Sequence, residues 1–112
     1  MDSLTHYREL IKQVIRGHAA HEPVNADVRI ETIFDELQDH YEMAESGWTV
    51  GGDRIEGTVI HIDIINDKIW VQFDGTEYGV ARELEDLGVP RHDIVLAFHS
   101  PSKRQFTGYA VG

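Results

Sequence analysis

The stretch Ile60–Glu77, IHIDIINDKIWVQFDGTE, constrains the fold more tightly than any other part of the chain. Apolar and polar residues alternate on both sides of Asn66 and Asp67. A two-residue turn at that pair sets Ile64 against Ile69, Ile62 against Val71 and Ile60 against Phe73 on one side of a hairpin. The same register sends His61, Asp63, Trp70, Gln72 and Asp74 to the opposite side. A sheet built on this ribbon needs a cover on one face only, and its polar face is left free for contact with other molecules.

The cover is legible upstream. Leu4, Tyr7, Leu10, Ile11, Val14 and Ile15 recur at three- and four-residue spacing, which predicts an amphipathic helix. Asp2 or Ser3 can accept its first free N–H groups, Gly17 weakens its far end and Pro23 forbids continuation. From Val28 the period becomes two, with Val28, Ile30, Thr32 and Phe34 on one side of a first strand. Asp35 to Gln38 reads as a connection, and Tyr41, Met43 and Ala44 belong to a second strand ending near Gly47 and Trp48. Gly51, Gly52 and Asp53 form the next turn. With the hairpin this makes four consecutive strands, most simply an antiparallel meander whose pairing order the pattern leaves open. Thr76 is the expected N-cap of a second helix carrying Val80, Ala81, Leu84 and Leu87 inward, stopped by Gly88 and Pro90. Ile94 to Phe98 is either a last strand or a buried extended segment, and Ser100 and Pro101 start a short final turn. The expected fold is therefore α+β: one domain over residues 1–112, with a four- or five-stranded antiparallel sheet and two helices on one face.

Charge narrows the function classes. Ten Lys and Arg stand against twenty Asp and Glu, and the net charge of −10 repels phosphate backbones at long range. Direct nucleic-acid binding is not expected, whereas a basic protein partner is favoured. The chain has no cysteine, which removes disulfides, thiolate nucleophiles and thiolate-bound zinc together. It shows no secretory signal and no apolar run of the about twenty residues that a membrane span requires, so a cytoplasmic protein is expected.

The chemistry-bearing candidates are sparse. His61 and Asp63 share one strand face with Trp70 opposite Asp63, but no nucleophile accompanies them, and a partner-binding patch is the better reading. His18 and His21 stand three apart, with Glu22 next, and could converge on a metal, although sites usually need three or four donors. Asp35, Glu36, Asp39, Glu42 and Glu45 lack calcium-loop spacing and read as a solvated or partner-facing acidic edge.

Taken in order, the segments YRELIKQVI, GWTV, IEGTVIHIDIINDKIWVQFDGTEYGVARELEDLGVP and DIVLAFHSP, with Arg104 and Thr107 beyond, resemble the XisI family, the fdxN element excision controlling factors of cyanobacteria. The resemblance runs from Leu4 to Val111. It implies an accessory factor needed, together with XisH, for a programmed DNA excision in heterocyst differentiation whose strand exchange is performed by a separate recombinase. No catalytic residue, metal or cofactor is carried over by it. The leading expectation is a non-enzymatic protein that binds a XisH-like partner through His61, Asp63, Trp70 and Gln72, with a homodimer also expected from the open sheet edges. The alternative is a small metal-dependent hydrolase built on His18, His21 and the acidic residues. A third reading, direct DNA binding, would need Arg91, Lys103 and Arg104 to gather locally.

Overall fold

The structure, a computed structural model, describes residues 3–20 and 27–112. The periodic stripe at the start forms α1, Ser3–Ala20, with Tyr7, Leu10, Ile11, Val14 and Ile15 buried. The capping expectation at Asp2 and the stop at Pro23 fall outside the described residues. Strands β1 (Asp27–Asp35), β2 (His40–Trp48), β3 (Arg54–Ile65) and β4 (Lys68–Asp74) follow, then α2 (Val80–Asp86), a 3-10 turn at Arg91–Asp93, β5 (Ile94–Leu96) and α3 (Pro101–Arg104). The five-stranded sheet has the order β1-β2-β3-β4-β5. The first four strands form the antiparallel meander, but β5 joins β4 in parallel, with Ile69, Trp70 and Val71 beside Ile94, Val95 and Leu96. Parallel pairing follows from the connection: α2 carries the chain back to the start of β4 before β5 begins. Among the described residues, no helix is long and apolar enough to cross a membrane.

One face of this sheet is the core face. Tyr41, Met43, Ile60, Ile62, Ile69, Val71 and Ile94 are fully buried there beneath α1 and α2. Burying an isoleucine or valine contributes about 1.5–3 kcal/mol, so this layer is the main source of stability. Of the acidic residues at the β1–β2 turn, Glu36 is exposed as expected, while Asp35 and Asp39 are half-buried. Arg8 of α1 donates to both oxygens of Asp39 at 2.7 and 3.1 Å, and Lys12 reaches Glu36 at 2.6 Å. Asp35 accepts the N–H groups of Leu37 and Gln38, both at 3.0 Å. The β1–β2 turn is thereby tied to the helix that covers the sheet.

The central hairpin follows the expected register at its turn and departs from it at its far end. Asn66 and Asp67 both have positive φ, 52° and 65°, as a two-residue hairpin turn requires. Ile64 pairs with Ile69 and Ile62 with Val71, but Ile60 pairs with Asp74 and His61 with Phe73. Gln72 is one residue too many on β4, a bulge that inverts every side chain beyond it. Phe73, expected in the core, is 47% exposed on the outer face. Asp74, expected outside, turns to the start of α2. There its Oδ2 accepts the Val80 N–H at 2.9 Å and its Oδ1 accepts the N–H and hydroxyl of Thr76 at 2.9 and 2.6 Å. The capping expected of Thr76 thus belongs to Asp74, while the Thr76 hydroxyl also accepts the Gly79 N–H at 3.3 Å. Leu87 also departs from expectation at 38% exposed. The chain leaves α2 through Gly88 at φ 102°, with Gly88 N–H on Glu85 and Val89 N–H on Leu84, so Val89 fills the inward position instead.

Candidate functional site

The outer face is assembled by strand register. Asp35, His40, Asp63, Trp70 and Val95 are successive partners from β1 to β5, and Ile33, Glu42, His61 and Phe73 make the neighbouring row. Alternation along each strand points both rows away from the helices. His61 and Asp63, two apart on β3, therefore share this side, and the β2–β3 register adds His40, which sequence reasoning missed. Its signal was present: Tyr41 and Met43 facing inward oblige His40 and Glu42 to face outward. Only the pairing of β2 with β3 shows that His40 lands on Asp63.

Three side chains converge on that carboxylate. His40 Nδ1 and His61 Nε2 each lie 3.0 Å from Asp63 Oδ1, while Gln72 Nε2 donates to Oδ2 at 3.3 Å. The two imidazole rings are 4.3 Å apart between centroids and tilted by 50°. All four residues are half-buried. The groups that meet Asp63 are two imidazoles and an amide, so no hydroxyl stands there to be activated. A depression of about 420 Å³ on the same face is lined by Glu31, Ser46, Arg54 and Thr58 among others, and it lies beside the cluster without enclosing it.

Trp70 is less free than the sequence suggested. Its indole N–H donates to the Ile65 carbonyl at 3.2 Å, and the Arg104 guanidinium lies 5.3 Å from the ring centroid. Arg104 is held by the carbonyls of His99 and Ala97 at 3.0 and 3.3 Å. Beside Trp70, Val95 is fully buried although it belongs to the outer row, because residues after β5 fold over it and Ala110 bridges to it. The outer face thus has a closed end at Val95, where Arg104 also lies over the half-buried Trp70 ring, and an open end at Phe73, beside half-buried His61 and Gln72. Exposed Phe73 could not be found from alternation alone, since the Gln72 bulge interrupts it.

The remaining candidates separate. His18 Nε2 meets Glu83 Oε2 at 2.6 Å across the seam between α1 and α2, and His21 lies outside the described residues. Arg91 is paired with Glu85 at 2.5 Å and stacked over Tyr109. With Arg104 over Trp70, two of the three cations considered for DNA contact are engaged within the molecule. Among the described residues, His40, His61 and Asp63 are the group of three whose ligand-capable atoms lie within 4.8 Å of one another.

The family model and the solved structures that match the chain agree with each other. The family model described as XisI protein matches residues 1–111. A crystal structure described as a XisI-like protein from Anabaena variabilis ATCC 29413 is 41% identical, with a TM-score of 0.90, covering 97% of this chain and 99% of that one. A second, described as the fdxN element excision controlling factor XisI from the same organism, is 35% identical with a TM-score of 0.84, covering 99% of this chain and 100% of that one. No curated protein matches the chain.

Proposed function

The chain belongs to the XisI family, and from that premise we propose that it is a non-catalytic controlling factor for excision of a DNA element, acting by binding a XisH-like partner protein through the outer face of its sheet. The observation that carries the proposal is the open end of that face. Phe73 is turned outward by the Gln72 bulge, next to His61, Asp63 and Gln72, whose side chains are held in place by one another. An aromatic residue presented among fixed polar groups has the makeup of an interface anchor. Trp70 borders this patch and supports it from the Arg104 side.

The charge of −10 favours a basic partner over DNA. The commitment of Arg91 and Arg104 to internal contacts supports the same choice. Control would then be exercised through a protein that itself meets nucleic acid. Titration calorimetry of this chain against the XisH-like protein tests the proposal. Phe73→Ala is expected to weaken binding by about 1–2 kcal/mol, and Phe106→Ala, on the exposed turn after α3, is expected to leave it unchanged. Equal affinity of wild type, Phe73→Ala and His61→Ala removes this face from the interaction. Self-association belongs to the same reading, since β1 forms the outer edge of the sheet. Light scattering that returns the single-chain mass of 12.7 kDa rejects a homodimer.

A further inference from the structure

We propose that His40, His61 and Asp63 form a binding site for one divalent first-row transition-metal ion, with zinc as the reference ion. The three donors come from adjacent strands of a hydrogen-bonded sheet, so their spacing is set by backbone register and not by flexible loops. His40 faces Asp63 across the β2–β3 pair, and His61 precedes Asp63 by two residues on the same face. Both imidazole nitrogens already lie 3.0 Å from one oxygen, Asp63 Oδ1, and that of His61 is hydrogen-bonded to it. Ligand bonds of about 2.0–2.1 Å in a tetrahedron place donor atoms about 3.4 Å apart, so the ion requires displacements of only a few tenths of an ångström in these two pairs.

The surroundings favour this use. Gln72 holds Asp63 Oδ2 at 3.3 Å, which leaves Oδ1 as the presented oxygen and orients the carboxylate from behind. The rings are tilted by 50° and not stacked flat, and the ligand-capable atoms of all three residues lie within 4.8 Å of one another. Asp35, next in the row, is already engaged by the N–H groups of Leu37 and Gln38 and does not complete the set. The fourth position faces away from the sheet, toward water or a donor from a bound molecule. Two imidazoles with one carboxylate and no thiolate select zinc, cobalt or nickel over calcium or magnesium, which prefer all-oxygen sites. The site stands on these three side chains whichever protein the outer face binds.

Calorimetric titration of the purified, metal-stripped chain with zinc, repeated with magnesium, tests the proposal, and visible absorption of the cobalt-loaded chain reports the ligand geometry. The expected result is one zinc per chain and no response to magnesium. His40→Ala, His61→Ala and Asp63→Asn should each weaken zinc by at least about tenfold, and circular dichroism should show all three folded without metal. Cobalt bound to the wild type should show the intense bands of a four-coordinate site, lost in each variant. Absence of zinc binding overturns the proposal. So does zinc binding that survives all three substitutions, which would place the ion elsewhere, such as at His18 and Glu83.

Discussion

Each of the four tyrosines donates its hydroxyl to a carboxylate: Tyr7 to Asp93, Tyr41 to Asp39, Tyr78 to Asp86 and Tyr109 to Glu85. Burial first, and then the acceptor carboxylate, pushes Tyr7 and Tyr109 up to about 12 and raises Tyr41 as well. For Tyr78 the bond to Asp86 leads, and the direction is the same. An ordinary tyrosine ionises near about 10, so the unfolded chain loses these protons first. The stability this represents is complete below about pH 10 and is lost as pH rises through the folded values, near 12 for Tyr7 and Tyr109. An alkaline titration followed by phenolate absorbance should therefore show little change near pH 10, then a cooperative rise coincident with loss of secondary structure. Four independent tyrosines ionising near 10 would contradict these contacts. The hairpin turn offers a second test at this scale. Asp67 is held at φ 65°, a conformation that costs an L residue more than glycine. Asp67→Gly should raise stability by about 0.5 kcal/mol, read from the denaturant midpoint.

Among the elements, α1 and the tight end of the β3–β4 hairpin were legible in the sequence because each is specified by one uninterrupted period. The stripe Tyr7, Leu10, Ile11, Val14, Ile15 buries as expected, and Ile62 and Val71 meet in the core. The bulge at Gln72 was not legible. It arises where β4 must hand Asp74 to the start of α2, a demand from an element outside the strand. The same limit applied to the outer face: His61, Asp63 and Gln72 are brought together as the alternation implied, while His40 needed the pairing of β2 with β3 and Phe73 needed the bulge. The closure of β1 on β2 carries its own prediction. Gly47 has φ 155°, and a Cβ placed there would lie 1.9 Å from the Asp27 carbonyl oxygen. Because that neighbour is backbone, relief requires the end of β1 to move away. Gly47→Ala should cost about 2 kcal/mol, with amide exchange in β1 accelerated more than in β4. Equal stability to wild type would contradict this close approach.

At the scale of the whole molecule, the sheet has two kinds of neighbour. Strands β1 to β4 follow one another in the chain, joined by short turns, while β5 reaches its place only across α2, and residues up to Ala110 then return to its side. The hydrogen bonds from Ala97 N–H to Val71 and from Ala110 N–H to Ile94, at 2.9 and 2.8 Å, fasten this late segment. Residues 94–112 should therefore open as one cooperative unit at lower free energy than the β3–β4 ribbon. Hydrogen exchange read by NMR should find Val95, Ala97 and Ala110 exchanging together and sooner than Ile62. Exchange of all four at one rate would mean that the unit does not open separately. The closed end around Trp70 thereby acquires a kinetic meaning. A visitor that recognises the indole face beneath Arg104 must wait for the small fraction of molecules with this segment lifted, and its apparent dissociation constant is raised in inverse proportion to that fraction. One that recognises Phe73 finds every molecule ready. The rate of capture, saturating with visitor concentration in the first case and proportional to it in the second, tells which ring is being read.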